Sequence, residues 1–434
     1  MGKLLDLSES ILSGETSIDE RHPVSITGST TLEEVGDGIA FLESFANVTA
    51  VVDGGELLLV DAGGILHAGA VHEQVRGWTD APLRTAVYTH GHVDHVFAVP
   101  LFEAEGHDPA PKVVAHENVP ARFDRYQLTN GYNGVINQRQ FQLPVPMFPK
   151  DFRYPDEVYR DATEVRVGSL RVELRHDKGE TDDATWAWIP DRKVLCTGDL
   201  FIWAAPNCGN PQKVQRYPWE WAVALRRMAD LGAELMLPGH GLPIAGAARI
   251  RTVLSDTAEL LESVHGQTLD LMNAGATLDE IVHTVAVPEH LQDQPWLQPV
   301  YDEPEFIVRN LWRLYGGWYD GNPAHLKPAR EEHLAAELAE LAGGAHVLAE
   351  RAQQRSDEGD HRLACHLAEL ASQAAPDDPG IHRVRAQVYA ARSALERSLM
   401  ARNVYRWAQR TSEERSSEER TSEERTGGEG SSGE

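Results

Sequence analysis

Cysteine is scarce: Cys196, Cys208 and Cys365 are the only three in 434 residues, an odd number without CxxC spacing. Neither a disulfide framework nor a thiolate zinc site can be built from them, so a reducing cytoplasm is the expected compartment. Basic residues are also short, 40 Lys and Arg against 67 Asp and Glu, for a formal charge of −27. A field of that sign repels phosphate before contact forms, which argues against nucleic acid or an anionic membrane as partner. No apolar run approaches the roughly 20 residues of a membrane span. The short patch in MGKLLDLSESILSGE is broken by Asp6, Ser8 and Glu9 and does not read as a secretion signal. Residues 411–434 hold no apolar side chain and repeat a Ser/Thr-Ser-Glu-Glu-Arg unit three times. Such a segment cannot offset the entropy of ordering itself, so a disordered acidic tail is expected.

The length suits two or three domains. Between residues 36 and 243 short β-rich runs alternate with turn signals: AFLESF, NVTAVVDGG, ELLLVDAGG, RTAVYTHGH, KVVAH, LRVELRH, ATWAWIP, RKVLCTGD and ELMLPGH. Helical patterns at 68–76 and 219–231 sit between some of them. This predicts a layered α/β domain over 30–250, behind an N-terminal extension of residues 1–29. Residues 249–275 show helical spacing of Leu and Val, and Gly275 followed by Thr277-Leu-Asp-Glu reads as a stop and a new N-cap. Residues 251–328 therefore form a helical, aromatic connecting segment. Residues 329–410 are rich in Ala, Leu, Glu and Arg, with breaks at Gly343-Gly344, 357–360 and 376–380, and predict three or four antiparallel helices. Their apolar faces need cover, from a second copy in a homodimer or from the chain's own catalytic domain.

Thr89-His-Gly-His-Val-Asp-His95 directly follows the apolar run TAVY. A strand ends there and presents three imidazoles and a carboxylate within six positions, which is the donor density of a metal site. Exposed loop histidines would leave unexplained the further donors at strand ends downstream. HGHVDH resembles the HxHxDH signature of the metallo-β-lactamase fold. The rest of that family's pattern follows as Asp61 in LLLVDAGG, Glu180 in KGET where the family usually has His, Asp199 in VLCTGD and His240 in LPGHG. The resemblance implies an αββα sandwich, followed here by an all-α helical domain. It implies two divalent metal ions, one on His90, His92 and Glu180, the other on Asp94, His95 and His240, with Asp199 bridging. Asp61 would buttress the histidine loop, although a β-turn Asp beside Gly63 and Gly64 accounts for it as well. Zinc is the first expectation, and the oxygen-rich donor set also suits iron or manganese.

Glu180 in the histidine position is shared with the alkylsulfatase branch of the fold. The segment from Tyr301-Asp-Glu-Pro-Glu-Phe through Arg309 to Ala324 is similar to the approach to that branch's dimerisation domain, and the likeness continues through Met400-Ala-Arg-Asn-Val-Tyr405. Together the matches span about residues 30–410. This branch implies a homodimer that hydrolyses a small anionic ester through a metal-bridging hydroxide, with Asp94 and Asp199 as catalytic carboxylates. The sequence departs from it at Asp199, where Glu is expected, and at Gln215, which stands at its sulfate-clamping Arg with Arg216 next to it. The resemblance is to members without the sterol-carrier-like domain that many of the branch carry, and none is expected here. Tyr126, Asn133, Asn137 and Arg139, in an amide- and arginine-rich stretch, are expected to face the substrate together with Lys213 and Arg216; pairing with local acids accounts equally for any one of the stretch. A diiron oxygenase branch of the same fold, with Glu in the third motif and Asp in the fourth, implies the alternative of a biosynthetic hydroxylase.

Overall fold

The computed structural model describes residues 2–18 and 30–427, with side chains as far as Ser417. Residues 19–29 of the expected N-terminal extension and residues 428–434 of the expected tail lie outside the described residues. Two compact units divide the chain: one holds residues 1–134 and 148–318, the other residues 135–147 and 319–434.

The first unit is built on two sheets. In the first, β1 (Thr31–Gly36), β2 (Ile39–Glu43), β3 (Val48–Asp53), β4 (Glu56–Val60), β5 (Leu83–Val87), β6 (Lys112–His116) and β7 (Glu157–Tyr159) lie in sequence order. The pairing is antiparallel from β1 to β4 and parallel from β4 to β7. The second sheet runs β13 (Ile244–Ala245), β12 (Leu235–Pro238), β11 (Val194–Gly198), β10 (Thr185–Ile189), β9 (Leu170–His176) and β8 (Ala162–Val167), with β11 and β12 parallel.

Period-two alternation assigns the two faces of β4: Leu57 and Leu59 enter one core, Leu58 and Val60 the other. The core between the sheets joins Leu58, Val87 and Val114 to Val172, Leu174, Ala187 and Leu195. On the outer face of the first sheet Val71, Val75, Val119 and Phe123 supply the cover, from helices Ala68–Trp78 and Val119–Leu128. Trp221, Leu225, Val253 and Leu254, from helices Pro218–Ala229 and Ala247–Asn273, do the same on the second sheet. The layers are those of the expected αββα sandwich. Helix Lys3–Leu12 adds Leu4, Leu5 and Ile11 to the main core, so this part of the N-terminal extension is packed. Of the connecting segment, everything up to Trp318 belongs to this unit. Among the described residues no helix is long and apolar enough to cross a membrane.

Helices Glu331–Ala342, Ala345–Asp357, His361–Ala374, Pro379–Leu395 and Leu399–Gly427 make up most of the second unit. They end at the three predicted breaks. Ala339, Ala349, Ala352, Ala364, Ala368 and Ala371 line their contacts, small enough for close helix approach. The expected disorder of the tail gives way to helix as far as Gly427. Apolar area was the wrong measure there, because Glu and Arg are strong helix formers and pair one turn apart. Arg410 Nε meets Glu414 at 3.0 Å, and Ser412, fully buried, accepts Arg385 Nη1 at 2.6 Å.

Candidate metal centre

Every expected metal ligand, and the expected buttress Asp61, lies in a loop that follows a strand. Asp61 follows β4, the 90–95 loop follows β5, Glu180 lies between β9 and β10, Asp199 follows β11 and His240 follows β12. The carboxyl ends of parallel strands β4, β5, β11 and β12 thus converge at one edge of the sandwich, where open α/β sheets place their ligands. Gly239 permits the closest approach: a Cβ there would fall 2.2 Å from Asp199 Oδ1.

The donors form two groups. One joins His90, His92, Glu180 and Asp199, the other Asp94, His95 and His240, and within each the donor atoms lie inside 4.8 Å of one another. Glu180 Oε2 is 3.7 Å from His90 Nε2 and 3.5 Å from His92 Nδ1. Asp94 Oδ2 is 3.8 Å from His95 Nε2 and 3.6 Å from His240 Nε2. Asp199 reaches both groups, with Oδ2 at 3.7 Å from His90 and 3.2 Å from His240, and Oδ1 at 3.4 Å from His95. His90, His95, Glu180, Asp199 and His240 are buried; His92 and Asp94 are half-buried, so the centre opens on their side.

His95 Nε2, Glu180 Oε2 and Asp199 Oδ1 are buried and make no hydrogen bond. Three orphaned polar atoms among the donors of the two groups cost several kcal/mol unless something outside the chain satisfies them. Imidazole and carboxylate donors in this number fit two divalent cations.

Neighbouring groups fix each donor. Asp61 accepts Thr89 N at 2.7 Å and Thr89 Oγ1 at 2.8 Å, and its Oδ2 lies 2.8 Å from His95 Nδ1. It thus holds the histidine loop as the resemblance implied, from a left-handed backbone (φ 64°) that Asp tolerates better than most residues. His240 Nδ1 donates to the Phe45 carbonyl. Glu180 turns Oε1 away from the histidines toward Asn207 Nδ2 and Arg216 Nη1, the latter at 2.5 Å. Burial pushes His90 down to about 4 and His92 well below the usual imidazole range. Burial acts the same way on His95 and His240, but Asp199 and neighbouring carboxylates outweigh it and raise both. Asp199 is held well below the carboxylate range despite burial, by His240, His95 and His90. Burial lifts Glu180 to about 7 against the opposing pull of Arg216.

The expected substrate residues fall in both units. Arg216 is buried against Glu180, while Gln215 turns the other way to Asn310 Oδ1 at 2.8 Å. Lys213, partly exposed, lies in the field of Asp94 and Glu180, and burial and Arg216 lower its ammonium to about 8. Tyr126 packs on Phe148 and Phe152, and Asn133 donates to Thr129 Oγ1 at 2.8 Å. The stretch that holds them is helical, Val119–Leu128 and Asn130–Phe141. Asn137 and Arg139 belong to the second unit.

Several residues at the centre escaped sequence reasoning. Asn207 had no signal. Tyr301, buried, is pushed well above the phenol range by burial and by Asp94, Glu180 and Asp199. Next to it, buried Asp302 accepts Gly209 N at 2.6 Å and Glu303 N at 2.8 Å, tying the 206–210 loop to helix Pro304–Gly316. Burial lifts Asp302 to about 6. The folded state therefore keeps this proton to higher pH than the unfolded chain, so its contribution falls as pH rises from about 4 through 6. In metal-free protein Asp302→Asn should flatten that part of the stability profile, on the order of 3 kcal/mol, between urea unfolding midpoints at pH 4 and pH 7.

Sequence comparison matches residues 42–240 to the metallo-beta-lactamase superfamily and residues 277–415 to the alkyl sulfatase dimerisation domain. A linear primary-alkylsulfatase of Pseudomonas sp. is 26% identical over 80% of this chain and 70% of its own length. An (R)-specific secondary-alkylsulfatase of Pseudomonas sp. is 26% identical over 66% of this chain, and an alkyl/aryl-sulfatase of Saccharomyces cerevisiae is 24% identical over 70%. The chain spans only about half the length of these last two, 47% and 50%. A stereoselective inverting sec-alkylsulfatase from Pseudomonas sp. shares the fold, with a TM-score of 0.80 at 22% identity over 88% of this chain and 66% of that one.

Proposed function

We propose that the chain, which matches the metallo-beta-lactamase superfamily over residues 42–240 and the alkyl sulfatase dimerisation domain over residues 277–415, is a dinuclear metal hydrolase of small anionic esters, alkyl sulfates first. The observation that carries this reading is that His95 Nε2, Glu180 Oε2 and Asp199 Oδ1, drawn from both donor groups, are buried and make no hydrogen bond. His90, His92 and Glu180 would hold one ion, Asp94, His95 and His240 the other, and Asp199 would serve both. Two such ions supply Lewis acidity, which brings the pKa of water toward roughly 7 and draws charge from an anionic ester oxygen.

The chain's own residues do the rest. Asp199 presents one oxygen to His95 and the other to His90 and His240, and so keeps the two halves in one geometry. Arg216 and Asn207 fix the rotamer of Glu180. Arg216 is committed to that carboxylate, so we assign the ester's anionic group to Lys213. The helical unit exposes Leu334, Leu341, Val347, Leu363 and Leu395, an apolar supply that suits a homodimer. The thiols of Cys196, Cys208 and Cys365 are all free, which suits a reducing compartment.

Metal analysis of the purified full chain, combined with an assay of sulfate release from a primary alkyl sulfate, tests the reading. Two divalent ions per chain and release abolished by a chelator are expected. The three carboxylates of the donor set, Asp94, Glu180 and Asp199, favour a second reading, a diiron oxygenase. Two irons with a visible oxo-bridged band, oxygen uptake and no sulfate release would put that reading first.

A further inference from the structure

We propose that Arg122 and Asp183 form a buckle that sets the His92 and Glu180 half of the centre and leaves the Asp94, His95 and His240 half to other supports. The inference rests on the two-metal reading above. Gly91 lies between His90 and His92, and Asp183 comes three residues after Glu180. Asp183 Oδ2 accepts the Gly91 N–H at 3.2 Å, which joins the two loops that carry this half's ligands. Arg122 grips the same carboxylate from helix Val119–Leu128, with Nε at 2.6 Å from Oδ2 and Nη2 at 2.9 Å from Oδ1. Its Nη2 also meets Asp182 Oδ1, and Asn118 Nδ2 donates to the Asp182 carbonyl at 2.8 Å.

The pair is sealed from water: Asp183 is 0% and Arg122 3% exposed. Burial works against ionisation of Asp183, yet Arg122 outweighs it and brings the carboxyl down to about 2. The fit leaves no slack at Gly91, where a Cβ would come within 2.9 Å of Arg122 Cδ and 3.2 Å of Asp183 Oδ2. The other half stands on Asp61 under His95 and on the Phe45 carbonyl under His240. Helix Val119–Leu128, through Arg122, therefore controls the spacing of His92 from Glu180. Arg122 and Asp183 are positioning residues, since they act through the ligands.

Zinc titration of the chelator-stripped full chain, followed by calorimetry, is the test. Wild-type protein should take two ions. Asp183→Asn should weaken one of them about 10- to 100-fold, the range for an outer partner of a metal ligand, and leave the other unchanged. The weakened ion should be the one on Glu180, so D183N/E180Q should bind no worse than E180Q alone. Gly91→Ala keeps the buried charges paired and should give the same one-sided loss, which covers failure of D183N to fold. Two ions at wild-type affinity in both variants, or equal weakening of both ions, overturns the buckle while leaving the two-metal reading intact. Fewer than two ions in the wild type overturns both.

Discussion

Asp199→Asn should lower hydrolysis by more than about 10²-fold, beyond what loss of an outer partner costs, and should empty both halves of the centre together. Asp199 is the one expected ligand whose two oxygens face donors of both groups. An amide of the same size keeps one carbonyl oxygen, loses the negative charge and turns an N–H₂ toward an imidazole or a cation. The neutralising charge disappears where two dications would sit, at a buried position where water cannot replace it. Metal content per chain and the turnover of a primary alkyl sulfate are the two measurements. Turnover within tenfold of wild type, or loss of only one ion, would sink the bridging assignment.

The strands that read clearly from sequence are those buried on both faces. β10 (TWAWI) and β11 (VLCTG) have every residue buried, so they appear as continuous apolar runs. β1 (TLEEVG), at the edge of its sheet, and β8 (ATEVRV), at the edge of the other, gave no signal. Their charged residues, Glu34, Glu164 and Arg166 exposed and Glu33 half-buried, blunt an edge but hide the strand from a hydrophobicity pattern. Most of the expected ligands were legible for a related reason, since the 90–95 loop, Asp199 and His240 follow apolar runs and stand out as polar residues there, whereas Glu180 lies four residues past β9 and was read only from the family pattern. Their supports were not. Arg122 lies 61 residues from Asp183, Asn207 is 27 from Glu180, and Asp302 is 93 from Gly209. Such pairings exist only once the chain is folded.

Arg216 shows where local reasoning stops and a measurement takes over. Alternation along an extended segment turns neighbours such as Gln215 and Arg216 opposite ways. It could not say which of them would face the centre, or that Glu180 would claim the guanidinium. Arg216→Met keeps the bulk and removes the charge, leaving Glu180 buried with only Asn207 on its outer oxygen. Breaking a buried pair from one side costs about 3–5 kcal/mol, and the metal-free variant should lose that much in urea unfolding. Arg216 also opposes the rise of Glu180 toward about 7, so its removal moves Glu180 further up. At pH 7 the carboxyl is then protonated more often, and zinc must displace that proton to bind. Zinc affinity of this half should accordingly fall at pH 7 and recover as pH is raised, with added zinc restoring part of the lost stability. An arginine acting as a substrate clamp gives a different pattern: KM for the anionic ester rises, while metal-free stability and zinc affinity stay as in wild type. The two outcomes separate on stability alone, before any substrate is added.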